Sequence, residues 1–156
     1  MPELHPINQA LLTLLDNQMT RTEAVFEGLA AELFDVDPGG DCNSIRAICN
    51  HLVGLRRFQL TLLESPLAAQ VDEPAPDDAP DAVLARLTAA AALVRRAIAS
   101  HDPADWYAAP GKKRDGFWAD DPTLLRFTRP FNDFTSHLGA IRAIRRILGH
   151  PAARTQ

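Results

Sequence analysis

Residues 11–33 read LLTLLDNQMTRTEAVFEGLAAEL, and their rhythm decides the fold class. Leu12, Leu15, Met19, Thr22, Phe26, Leu29 and Leu33 alternate in steps of three and four, the stripe of an amphipathic helix. That stripe predicts a first helix running up to the turn signal Asp37-Pro38-Gly39-Gly40. Working outward, the same period returns three times. A second helix is expected from about Asn43 to Glu64, capped by Asn43 or Ser44 and stopped by Ser65-Pro66. Its inward seam is predicted as Ser44, Ile48, His51, Leu55, Phe58 and Leu62. A third helix spans roughly Asp81 to His101, with Val83, Leu87, Ala90, Val94 and Ala97 inward and many alanines suited to close packing. The fourth ends at Gly149, with Arg142, Arg145 and Arg146 near its C-terminal end, where the helix dipole favours cations.

The fourth segment carries two rows side by side. Asp133, His137, Ala140, Ile144 and Ile147 form the expected seam, and Phe127, Phe131, Phe134, Leu138 and Ile141 lie beside it. Its start is open between Asp121-Pro122 and Pro130, with a kink or break expected near Pro130 in the longer version. No strand signal of comparable strength occurs. The expectation is an all-α protein, an antiparallel four-helix bundle, forming one domain over residues 1–156.

Composition narrows the function classes. Sixteen basic against twenty acidic residues leave a net charge of −4, so no global positive field draws the chain to nucleic acid. The acidic excess sits mostly in expected loops, as at Asp72, Glu73, Asp77, Asp78 and Asp81. No apolar run approaches the ~18 residues of a membrane span, and the N-terminal residues lack a signal-peptide layout. Cys42 and Cys49 are read as reduced thiols, which together with the rest points to the cytoplasm. Phosphate loops, dinucleotide fingerprints and nucleophile elbows are absent from the sequence.

Three residues carry the candidate chemistry. His51 is placed inward between Ile48 and Leu55, and Asp133 and His137 are four apart on one helix face. Two imidazoles and a carboxylate suit zinc, nickel or iron and leave positions for water or substrate. Burying such groups in an apolar seam is costly unless they are paired or metallated. Two readings stand: a shared divalent metal ion, or an Asp–His hydrogen-bond network without one. His5, His101 and His150 fall at segment ends and are read as solvated or capping, while Arg56 and Arg57 are read by default on a solvated face, with Arg56 in reach of an anionic ligand or acidic partner as the alternative. Cys49 diverges from His51 around the helix, which argues against a Cys–His pair. The long stretch 102–123, with Trp106-Tyr107 and Phe117-Trp118 around a basic tip, reads either as a cap on the core or as a lid beside the polar residues.

The segments NSIRAICNHLVG (residues 43–54) and NDFTSHLG (residues 132–139) resemble the DinB-like (YfiT-like) superfamily of metal-dependent four-helix bundles. The resemblance implies that His51 and His137 are metal ligands, that Asp133 replaces the first histidine of a His-x-x-x-His pair, and that the protein is a homodimer. It also implies chemistry of the thiol-dependent transferase or isomerase kind, or hydrolysis, on a small-molecule substrate. The competing expectation is a non-catalytic dimeric helical module in which the same three residues are only a structural network.

Overall fold

The computed structural model describes residues 4–108 and 120–152. Four α-helices account for most of them: α1 (Pro6–Phe26), α2 (Ile45–Leu62), α3 (Pro80–Ser100) and α4 (Thr123–Ile147). Short 3-10 turns at Ala31–Leu33, Pro66–Gln70 and Pro103–Tyr107 punctuate the connections, and there is no strand among the described residues. The all-α four-helix bundle expected from the sequence is therefore present.

Local chemistry sets the ends. Ser44 accepts from the Ala47 N–H at 3.2 Å and opens α2, as its position ahead of an apolar run suggests. The first helix stops well short of Asp37, which corrects the expected end. Gly28 adopts φ 61°, a left-handed conformation that glycine reaches without penalty, and the chain turns there. Leu29 stays buried beyond the end of the helix, and Leu33 is half-buried on the separate turn Ala31–Leu33. The carbonyls released at this early end are gathered by Arg145 from the last turns of α4. Its guanidinium donates to Val25 O (2.5 Å), Glu27 O (2.9 Å), Gly28 O (3.3 Å) and His150 O (3.0 Å). Helix α4 begins at Thr123, matching the earlier of the two expected starts, and passes through Pro130 without the break allowed for there.

Side-chain contacts give the helix directions. Asn8 donates to His101 O and Asp16 pairs with Arg95, so α1 and α3 run antiparallel. Gln18 donates to Phe131 O and Arg145 reaches Val25 O, so α1 and α4 run parallel. His51 meets His137 while Arg56 lies over Phe131 and Phe134, so α2 and α4 are antiparallel. The order is up, down, down, up, and α2 and α3 point the same way. The segment between them must travel back along the bundle. Arg57 donating to Val71 O (2.5 Å) and Arg46 donating to Asp78 O (2.7 Å) pin it on the way.

The core follows the apolar stripes, with two corrections. On α3 every expected seam residue is buried. On α4 the phenylalanine row faces the core, and of the expected row only Ile144 is buried with it, while Asp133 and Ile147 are exposed. On α2 the buried face includes Ile45, Cys49, Leu52, Arg56 and Gln59 together with Ile48 and Leu55 of the expected seam, while His51 and Phe58 fall at its exposed edge. Arg56, expected on a solvated face, has no solvent exposure. Its guanidinium donates to Gln18 Oε1 (2.6 Å) and Gln59 Oε1 (2.9 Å) and lies 4.1 Å from the centre of the Phe134 ring. Burial lowers its pKa to about 9. Two amide oxygens and aromatic faces, rather than a carboxylate, compensate the charge.

At the far end of the bundle Trp106 is fully buried, as expected for a residue capping the core, and donates to Asn8 Oδ1 at 2.8 Å. The His101 ring lies 4.2 Å from it, and the buried His101 Nε2 has no hydrogen-bond partner among the described residues. Tyr107 is exposed, and Phe117-Trp118 with the basic tip lie outside the described residues.

Gln18→Leu should leave the buried guanidinium with one amide acceptor and destabilise the protein by about 3 kcal/mol in urea unfolding, with Arg56→Met in that background recovering most of the loss. Acid titration offers a second check. Desolvation lowers the His101 pKa, opposed by the nearby Asp105 and Asp102, so the folded state resists protonation. The associated stability is complete above the ordinary histidine value of about 6.5 and declines as pH falls from there through the lowered folded value. His101→Gln should flatten the thermal midpoint against pH in that window; an unchanged slope would show that His101 is not its source.

Candidate metal centre

His51 stands two turns into α2, on the edge that faces α4 across their antiparallel seam. Asp133 and His137 stand one turn apart on α4, so both carboxylate oxygens of Asp133 find an imidazole. His51 Nε2 is 3.3 Å from Asp133 Oδ2, and His137 Nε2 is 3.4 Å from Asp133 Oδ1. The two imidazole rings are 4.6 Å apart at 70°. One ligand atom from each of the three residues falls within 4.8 Å of the others. No other trio of His, Cys, Asp or Glu meets this condition among the described residues.

The three residues that the sequence singled out thus converge, but not in the interior. The His51 and Asp133 side chains are each 49 % exposed and that of His137 28 %. The expected inward placement of His51 is corrected by the rotation of α2: Arg56 and His51 are five residues apart, about 140° around a helix, and Arg56 occupies the core. With the groups half in water, the desolvation reasoning that favoured a metal loses its force. A different observation replaces it. One ligand atom from each residue lies within 4.8 Å of the other two, with the short His51 and His137 contacts made to different oxygens of Asp133. The donor set fits a divalent ion such as zinc, and its exposure leaves room for further ligands.

Beside the centre lies an open cleft of about 660 Å³, with Asp133 in its wall. Leu55, Phe58 and Pro130 form its apolar side, and Arg129, Asn132 and Ser136 complete the α4 wall. Sequence reasoning missed Phe58 as a site neighbour by placing it in the core. The available signal was its position seven residues after His51, on the same helical stripe. Cys49 does not join the site: it is buried, and burial pushes its thiol up to about 12. Cys42 is exposed, ahead of the α2 cap. His5 caps α1, accepting from the Ile7 N–H at 3.4 Å, as its position at a segment end suggested.

A family model described as the DinB superfamily matches residues 14–132, more than half of the chain. The match covers α1 from Leu14 onward, α2 with His51, α3 and the first part of α4, and it ends one residue before Asp133. No curated protein matches the chain. No helix among the described residues is long and apolar enough to cross a membrane.

Because exposed ion pairs contribute little, Asp133→Ala should change folding stability by less than about 1 kcal/mol in denaturant titration. A much larger loss would mean that the trio is a structural network after all.

Proposed function

We propose, from the premise that this chain belongs to the DinB superfamily, that it is a divalent-metal-dependent enzyme whose ion is held by His51, Asp133 and His137. The convergence of these three side chains at an exposed seam, with one ligand atom from each within 4.8 Å of the others, carries the reading. The chemistry supplied when an ion is bound is Lewis-acid polarisation of a substrate oxygen or sulfur. The protein's own contribution is positional. Two neutral imidazole nitrogens and one carboxylate offer a donor set with net charge −1, which leaves a divalent centre partly positive toward substrate. Antiparallel packing of α2 on α4 fixes the distance between His51 and the other two. Hydrolysis or a thiol-dependent transfer or isomerisation fits such a centre. A thiol cosubstrate would come from outside, since Cys49 is buried and protonated.

The second reading is a non-catalytic module in which Asp133 merely bridges two imidazoles. The observation in its favour is that both contacts, at 3.3 and 3.4 Å, are already hydrogen-bond length or close to it. Against it stands the exposure of the trio, where such a bridge stabilises little.

Elemental analysis of the full chain, purified without added metal and then dialysed against zinc, decides between the two. About one ion per chain is expected, falling to a small fraction in His137→Ala and in His51→Ala, with both variants folded by circular dichroism. Wild-type protein that takes up no ion on supplementation, and whose melting is unmoved by it, would sink the metal reading.

A further inference from the structure

Resting on the metal reading, we propose that the cleft beside His51, Asp133 and His137 holds the apolar body of a small amphiphilic substrate whose polar, metal-binding head lies at the three ligands. The volume of about 660 Å³ falls within the range of small-molecule sites, roughly 300–1,000 Å³. Asp133 belongs both to the trio and to the wall of the cleft, so the two are one continuous surface. Position along the helices gives the direction. Phe58 follows His51 by two turns, about 10 Å along the axis, and Pro130 lies one turn before Asp133 on the antiparallel partner. A molecule anchored at the trio therefore extends towards the C-terminal end of α2 and the N-terminal part of α4.

The lining fixes the chemistry of that extension. Phe58 leaves 46 % of its surface in water, although it is a large apolar residue flanked by Leu55 and Pro130. Covering it removes apolar area from solvent, which favours an alkyl or aryl body. The one cation in the lining, Arg129, is held by Asp121 at 2.6 Å, so its charge is already matched and does not call for an anionic tail. Asn132 and Ser136 place hydrogen-bonding groups along the α4 wall, suited to a neutral polar group between head and body. The substrate class is thus a neutral-bodied acyl, alkyl or aryl compound with a Lewis-basic head.

The test is calorimetric titration of the zinc-loaded full chain with a hydroxamate series, from acetohydroxamate through hexanoyl and octanoyl hydroxamate, each with the same zinc-binding head. Affinity is expected to rise by about twofold to fourfold per methylene. Phe58→Ala should keep the zinc and the acetohydroxamate affinity but lose most of the gain with chain length. Leu125→Ala, which removes an exposed apolar residue of α4 outside the cleft, should leave the whole series unchanged. Zinc and acetohydroxamate bound with no gain along the series would overturn the cleft inference while leaving the metal reading intact. A chain that binds no zinc defeats both. An equal loss of the gain in both variants, or a dimer that Phe58→Ala converts to monomer in sedimentation, would show that the cleft serves something other than a small substrate.

Discussion

A guanidinium in a dry core is the constraint around which this bundle is arranged. Arg56 cannot shed its charge at ordinary pH and has no carboxylate among its core partners, so its compensation must come from several helices at once. Gln18 brings α1 to it, Gln59 keeps an acceptor on α2, and Phe134 and Phe131 bring the aromatic faces of α4. Each contact needs a particular rotation of its helix. Fixing α2 with Arg56 inward leaves His51 no place but the edge, where α4 presents Asp133 and His137. The exposed trio and the buried cation are two results of one helix orientation.

This coupling explains what the sequence could and could not disclose. Helix α3 was legible because its stripe is purely apolar and admits one orientation. On α2 the inward places of Ile48 and Leu55 were legible, but a charged side chain reads as solvent-facing, and only packing against α1 and α4 reveals Arg56 as an inward residue. Helix α4 carried two adjacent stripes, and burial went to the one made of Phe127, Phe131, Phe134, Leu138 and Ile141. The hydrophobic effect settled that choice in favour of the larger apolar area. Residue identities at the site were legible from the four-residue spacing of Asp133 and His137 and from the DinB-like pattern around His51. Their exposure was not, since it depends on which neighbouring stripe wins.

Topology lay further out of reach. The stretch after α2 reads as an exposed connection in either case, and periodicity is blind to helix direction. Only the contacts of Arg57 with Val71 and of Arg46 with Asp78 show the chain returning along the bundle before α3 begins. The same order makes α2 and α4 antiparallel neighbours, although α3 intervenes in sequence. The site is therefore assembled by long-range packing. The family match, which ends before Asp133, likewise leaves the α4 half of the site to geometry.

The grip of Arg145 on the end of α1 has a consequence for cooperativity. Its donors hold three carbonyls of the α1 terminus and one just beyond α4, so neither helix end can fray without abandoning the other. Terminal turns ordinarily open independently, with free energies near zero. Here two termini more than a hundred residues apart in the chain belong to a single opening unit. Opening at that end of the molecule therefore has to break the contacts of both helix ends together.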